Sequence, residues 1–370
     1  MRNILILNYE FPPLGGGASP VSYEIAKRYV EKGLNVDVIT MGYRDLPSFE
    51  VTEGISVYRV NCLRKKKETC ETHEMISYVI SAILFIRKNI DVKKYDICHC
   101  HFLIPTGLVA LYMKKLFKLN YIVTIHGSDV PGYNSDRFKF EHHFTKPLLK
   151  IVGKNAKHIC SPSIYLMKLA EHRIGVLNYI HVPNGIDLDA FKLDLSTPKE
   201  RIILSTGRLL ERKGFHTLIR AVKDIELPYE VHIAGDGPYR KQLESLAKQS
   251  KTKIVFHGWL EKGTQELKSL YEKASIYVLA SSKENASIAL LEGMAARCVV
   301  ITTNVSGCPE TVGNAGFVID FDDDVRLKQI LLALSNDSSM VYDYSNKAYN
   351  RLRSCFLWDK SMDKYLTALS

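Results

Sequence analysis

Two cations and two carboxylates carry the plainest chemical signal in this sequence. Arg208 and Lys213 stand five positions apart in Thr206-Gly207-Arg208-Leu209-Leu210-Glu211-Arg212-Lys213-Gly214, just after a short β-branched run. Two positive charges in a loop that enters a helix can hold a diphosphate and neutralise its charge as it leaves. Glu284 and Glu292 flank Asn285-Ala286-Ser287-Ile288-Ala289-Leu290-Leu291, where a helix is expected from about Ser287. One carboxylate in the loop and one further along the helix can each bond a polyol of a ligand resting on the helix N-terminus. Paired acids also suit glycoside hydrolysis, but here their neighbours are diphosphate-binding features.

The first half holds smaller signals. Tyr9-Glu10-Phe11-Pro12-Pro13-Leu14-Gly15-Gly16-Gly17-Ala18 joins the first expected strand to the first helix. Ligands bind open α/β sheets at that edge, and glycines let backbone approach them. The spacing is not G-x-G-x-x-G, and two prolines precede it, which argues against a nicotinamide dehydrogenase. His126-Gly127-Ser128-Asp129 ends another strand, so His126 can bond a substrate hydroxyl while Asp129 caps a helix or holds the ring. Cys98-His99-Cys100-His101 looks like a metal cluster, but a strand turns its two Cys to one face and its two His to the other. No second Cys/His pair has zinc spacing. His99 or His101 near an acceptor is the more useful reading, and His142-His143 reads as an exposed helical pair.

These residues need a scaffold. The chain has 370 residues, and at about 150 per domain that is roughly two domains. Hydrophobic residues at 46% and charged residues at 24% exclude a disordered or fibrous chain. The eight cysteines are too sparse for a disulfide framework. No apolar run reaches the roughly 18 residues of a membrane span, and the first residues read as a strand rather than a secretory signal. A cytosolic chain is expected. Short β-branched runs alternate with amphipathic segments, the pattern of parallel α/β sheets. Strands are expected at 3–8, 36–40, 55–60, 96–101, 121–126, 159–161 and 179–182. A second series follows at 201–206, 229–234, 253–257, 276–280, 299–303 and 316–320. The first helix is expected from Ser19 as N-cap, with Pro20 in its first position.

Charge is uneven. Residues 1–195 hold 26 Lys/Arg against 19 Asp/Glu, and residues 196–370 hold 24 against 21. A basic first half suits an anionic partner. Arg64-Lys65-Lys66-Lys67, then apolar 76–86 and Arg87-Lys88, read either as a solvated loop with an ordinary buried helix or as a dock on anionic lipid. The aromatic interleaving of nucleic-acid platforms is lacking, so nucleic acid is disfavoured as a partner.

In order along the chain, Gly15–Gly17, Asp96–His101, His126-Gly127, Pro183-Asn184-Gly185-Ile186-Asp187, Gly207-Arg208 with Lys213-Gly214, Gly235-Asp236-Gly237-Pro238, Gly258 and the Glu284/Glu292 pair resemble the retaining family-four glycosyltransferases. The resemblance implies the α/β GT-B fold, two Rossmann-like doubly wound domains facing a cleft. Residues 1–183 would bind the acceptor and 184–355 the nucleotide sugar, with a C-terminal helix, 356–370, crossing back to the first domain. Phe356, Trp358 and Tyr365 match the family's aromatic pattern there.

By the same resemblance, Arg208 and Lys213 would grip the donor diphosphate, Glu292 the ribose and Glu284 the sugar hydroxyls. The amides near Ile288 and Ala289 would meet phosphate. His126 would bond the transferred sugar, and Gly16 and Gly17 would let the first domain close over the donor. Asn285-Ala286 replace the glycine and aromatic that many members have after the first glutamate. The implied activity is transfer of a sugar from a UDP- or GDP-sugar to a glycan or lipid-linked acceptor, without metal or other cofactor, in the cytoplasm or on its membrane face. A soluble-product transferase and a non-catalytic sugar-nucleotide-binding subunit are the alternatives.

Overall fold

A computed structural model describes residues 2–133 and 139–370. The side chains of His142 and His143, within the helix Lys139–Asn155, lie outside the described residues. The chain divides into two compact units, Met1–Pro183 with Ser361–Ser370, and Asn184–Lys360.

The first unit is built on β1 (Asn3–Leu7), β2 (Asn35–Met41), β3 (Phe49–Thr52), β4 (Ile55–Val60), β5 (Ile97–His101), β6 (Tyr121–Thr124), β7 (Ile159–Ser161) and β8 (Tyr179–His181). They form one sheet in the order β3-β4-β2-β1-β5-β6-β7-β8, parallel except for the β3–β4 pair. Side chains on both faces are buried, as in Ile4, Leu5, Ile6 and Leu7 of β1, which is why these strands read as continuous apolar runs. From β1 the chain winds first toward β2 and later toward β5. The crevice at the carboxyl ends of β1 and β5 is therefore the point where a doubly wound sheet takes its ligand. The glycine loop follows β1 and lies at that point.

The helix after that loop, Ala18–Glu31, begins at Gly17 rather than Ser19. Ser19 and Pro20 fall in its first turn, where backbone N–H groups have no helical partner and proline costs nothing. The Ser22 hydroxyl donates to the Ser19 carbonyl at 2.8 Å, and the Asn8 amide donates to Ser22 at 2.7 Å, which anchors the helix start to the end of β1.

The second unit holds β9 (Ile202–Thr206), β10 (Glu230–Ala234), β11 (Ile254–Gly258), β12 (Ile276–Leu279), β13 (Val299–Thr303) and β14 (Phe317–Ile319). Their order is β11-β10-β9-β12-β13-β14, all parallel. The switch point lies between β9 and β12. The loop after β9 carries Arg208, and the loop after β12 carries Glu284.

The last helix, Trp358–Leu369, is split between the units. The expected return to the first unit at Phe356 occurs at Ser361 instead. Phe356 packs in the second unit's core, and the place where a Gly185 Cβ would stand is 2.6 Å from the Trp358 ring, so glycine is what lets the indole lie there. Within the first unit, Ser361 donates to the Pro183 carbonyl at 2.6 Å and Lys364 to the His181 carbonyl at 3.1 Å, while Tyr365 is buried.

Gly214 shows how tightly the second unit's edge is built. Its φ is +70°, and a Cβ there would stand 1.8 Å from the Ala280 carbonyl oxygen. Gly214→Ala should therefore lower stability by about 2–4 kcal/mol. Thermal denaturation of the two proteins checks this, and an unchanged midpoint would refute the packing described.

Candidate functional site

On the second unit, β9 ends at Thr206 and the chain turns at Gly207 into Arg208 and a 3₁₀ turn, Glu211–Lys213. The Lys213 ammonium pairs with Glu284 Oε1, which also accepts from the Ser281 hydroxyl at 3.0 Å. Both partners of that pair are largely covered, at 21% and 12% side-chain exposure. Arg208 is exposed, and among the described residues its guanidinium has no hydrogen-bond or ionic partner. The sequence reading treats the two cations alike. The structure separates them: Lys213 is already held by a carboxylate, and Arg208 is uncommitted.

The helix Ile288–Ala295 starts behind Ser287, which makes no side-chain capping bond. The first amides, including those of Ile288 and Ala289, thus point out of the helix uncapped, a ready seat for an anion. Glu292 lies in the second turn. Its Oε2 accepts from the Tyr271 hydroxyl at 2.9 Å and its Oε1 pairs with Lys262 at 2.8 Å. Tyr271 and Tyr277 both reach the Thr206 hydroxyl, at 3.0 and 2.9 Å. Gly293 makes this possible, since a Cβ there would meet the Tyr277 ring at 2.6 Å. Burial and the Glu292 charge hold the Tyr271 phenol well above its usual pKa, so it donates to the carboxylate. Asn285 is partly exposed in the loop between the two glutamates. Tyr271, Tyr277, Thr206 and Lys262 were missed by sequence reasoning, because nothing in their spacing marks them as partners of Glu292.

On the first unit, Gly15 has φ +95°, and a Cβ there would lie 2.5 Å from Glu10 Cβ. Gly16 and Gly17 have nothing within 4 Å of where a Cβ would stand, so backbone is open to a ligand at those two positions. The loop is fixed from the other side by the Gly15 amide, which donates to the Lys67 carbonyl at 2.9 Å.

His126 follows β6. Asp129 holds it by accepting from the amides of His126 and Gly127 at 3.0 and 3.1 Å with one oxygen and from Leu103 at 3.0 Å with the other. Burial raises the Asp129 pKa, and these amides oppose the rise. His126 Nε2 lies 3.0 Å from His101 Nδ1, and the rings of His99, His101 and His126 stack in sequence at 4.6 and 5.3 Å. His99 bonds the Tyr29 hydroxyl at 3.1 Å and the Thr124 hydroxyl at 2.8 Å, and Thr124 donates to Tyr365 at 3.3 Å.

His99 and His101 are completely buried. Strand β5 is covered on both faces, so the two histidines expected on the acceptor side lie one layer in, with His101 stacked between His99 and His126. Cys98 and Cys100 pack into the core on the opposite face. Among the described residues no group of three His, Cys, Asp or Glu side chains is placed to hold a metal ion.

Comparison with known proteins bears on the family and the fold. Residues 15–190 match the family model "Glycosyltransferase Family 4", and residues 189–351 match "Glycosyl transferases group 1". An uncharacterized glycosyltransferase of Methanocaldococcus jannaschii is 31% identical over 339 residues, 84% of this chain and 82% of its own. An α-1,4-N-acetyl-D-galactosaminyltransferase of Campylobacter jejuni, named for an undecaprenol diphosphate-linked glycan, is 25% identical over 72% of this chain and 73% of its own. The solved structure of Anabaena HepE in complex with UDP superposes with a TM-score of 0.79 at 15% identity, covering 100% of this chain and 99% of that one.

The histidine stack sets a pH dependence. Burial lowers the pKa of His99 to about 3 and of His126 to about 3, and holds His101 well below the ordinary imidazole value of 6.5. The unfolded chain takes up these protons as pH drops below about 6.5, while the folded unit does not. Stability is therefore full above that pH and is lost as pH falls, by up to about 1.4 kcal/mol per pH unit for each histidine. Denaturation between pH 7.5 and 5 should show the decline, and His126→Asn should make it shallower. A wild-type profile flat over that range would contradict the neutral stack.

Proposed function

The chain belongs to the GT-B family-four glycosyltransferases, and from that premise we propose a retaining enzyme that moves a sugar from a nucleotide-diphosphate sugar to a glycan or lipid-linked acceptor. The observation that carries this reading is the Lys213–Glu284 pair. It ties the loop after β9 to the loop after β12. That gathers the uncommitted Arg208, the uncapped start of the helix at Ile288 and Ala289, and Glu292 along one sheet edge. A nucleoside diphosphate carries the matching groups: phosphates for the cation and the amides, and a ribose for the carboxylate. The UDP held by the HepE structure and the lipid-linked glycan in the Campylobacter relative's name support donor and acceptor classes.

In this proposal the acceptor oxygen attacks the anomeric carbon on the face from which the diphosphate leaves. The new carbon–oxygen bond forms as the carbon–phosphate oxygen bond breaks, and the acceptor proton passes to a diphosphate oxygen. Arg208 and Lys213 stabilise the charge that develops there, so the proposal requires no metal. His126 bonds the transferred sugar, and the open backbone at Gly16 and Gly17 admits the donor. The product belongs to cell-surface polysaccharide or glycolipid assembly on the cytoplasmic membrane face. Among the described residues no helix is long and apolar enough to cross a membrane.

Purified protein tested with UDP-, GDP- and ADP-sugars should hydrolyse one of them slowly; inertness toward all would defeat the enzyme reading. Arg208→Ala should cut turnover about a hundredfold and leave stability unchanged. Lys213→Ala should cut turnover as much and also destabilise by about 1–3 kcal/mol, because it strands the covered Glu284 carboxylate. Turnover near wild type in both variants would defeat the diphosphate assignment. In calorimetric titrations, Glu292→Gln should weaken free nucleotide and sugar nucleotide alike, whereas Glu284→Gln should weaken only the sugar nucleotide. Equal losses for both ligands in both variants would show that the roles are not separate.

A further inference from the structure

The helix Thr72–Asn89 has two apolar faces where one would suffice. Met75, Tyr78, Ala82 and Ile86 turn into the first unit's core. On the opposite side Ile76, Ile80 and Leu84, each four residues from the next, are 57%, 56% and 60% exposed. The sequence reading of this stretch as an ordinary buried helix is thus half right. Leu63, also exposed, is fastened beside the stripe by its amide, which donates to the Ser77 hydroxyl at 2.9 Å.

The charges around the stripe are mostly of one sign. Arg87 and Lys88 are exposed at the C-terminal end of the helix. Lys65, Lys66 and Lys67 are exposed at the other end, held there by the Lys65 amide donating to Glu74 Oε1 at 2.7 Å. No Asp or Glu occurs from Met75 to Asn89, and Glu74 is buried. The exposed acids nearby are Glu68 and Glu71 at the N-terminal end and Asp91 two residues past the helix, where it caps the next turn by accepting from the Lys93 amide at 3.1 Å. Arg64 does not join the outward cations. Its guanidinium turns in to the carbonyls of Tyr9, Lys66 and Lys67 at 3.2, 3.0 and 3.0 Å, which corrects the reading of 64–67 as a uniformly solvated run.

We propose that this face lies flat on an anionic bilayer, with Leu63, Ile76, Ile80 and Leu84 in the headgroup–acyl boundary and Lys65–Lys67, Arg87 and Lys88 against lipid phosphates. The proposal rests on the lipid-linked acceptor proposed above and names the surface that meets the membrane. A bilayer offers apolar depth and negative charge together. A second copy of the same face would set cations against cations. The helix lies parallel to the membrane, its stripe running roughly 12 Å from Ile76 to Leu84 at about 1.5 Å per residue. Its N-terminal end adjoins the glycine loop through the bond between the Gly15 amide and Lys67 carbonyl, so a lipid headgroup arriving there reaches the ligand edge of the sheet.

The test is co-sedimentation of the full chain with vesicles of phosphatidylcholine containing about one-third phosphatidylglycerol, beside pure phosphatidylcholine. Wild type should bind the anionic vesicles and release with salt. Ile76→Ser, Ile80→Ser and Leu84→Ser combined should weaken binding at least tenfold, and Lys65→Gln, Lys66→Gln and Lys67→Gln combined should do likewise. Sugar-nucleotide hydrolysis should stay at the wild-type rate in both variants, so loss of docking and failure of the transferase reading are told apart. Wild type that ignores anionic vesicles at low salt, or a serine variant that binds them as well as wild type, overturns the proposal. So does a wild-type dimer that the serine variant turns into a monomer without any vesicle binding, which would assign the face to a second copy.

Discussion

The loops after β9, β10 and β12 approach one another more closely than any side chain would allow. A Cβ on Gly214 would stand 1.8 Å from the Ala280 carbonyl oxygen, and one on Gly235 would stand 1.8 Å from that of Gly207. This bare backbone contact is the constraint on which the second unit's ligand edge depends. It brings the 3₁₀ turn beside the end of β12, where Lys213 reaches Glu284. It also leaves Arg208 outside the packing, exposed and, among the described residues, without a partner, on a loop anchored by these close backbone contacts. A preorganised charge acts strongly because it needs no rearrangement when its ligand forms.

The first unit solves a different problem. β5 carries two histidines into a sheet covered on both sides, and buried polar groups need partners. Hydroxyls from Tyr29 and Thr124 meet both nitrogens of His99, and His126 meets His101 Nδ1, while among the described residues His101 Nε2 is buried without a hydrogen-bond partner. Tyr365 closes the row from the last helix, which gives that helix a polar tie to β6 as well as an apolar one.

Much of this was legible in the sequence because doubly wound sheets place motifs by rule. The glycines, His126, Arg208 and Glu284 all stood after β-branched runs, and each lies in the loop at the carboxyl end of its strand, while Glu292 sits in the second turn of the helix that follows. What escaped notice has particular causes. β3 was missed because Phe49–Thr52 is a short edge strand, although Glu53-Gly54, both at positive φ, form the turn that returns the chain to β4. The hydroxyls around Glu292 come from β9, β12 and the helix Gln265–Lys273, elements distant in sequence, so only tertiary packing brings them together. The return of the last helix was placed early because Phe356 and Trp358 look alike as apolar residues whichever core they join. The burial of Ile76–Ile86 was misjudged because a helix with hydrophobic residues all round does not announce which side lacks a neighbour.

The burial of His126 bears on the reaction proposed above. Breaking a bond at an anomeric carbon leaves that carbon with cationic character. A protonated histidine beside it would repel the charge and raise the barrier. Burial keeps the pKa of His126 at about 3, so its ring remains a neutral dipole throughout the physiological range. In the reaction proposed above, that burial denies the edge histidine the proton that would set it against a sugar turning positive.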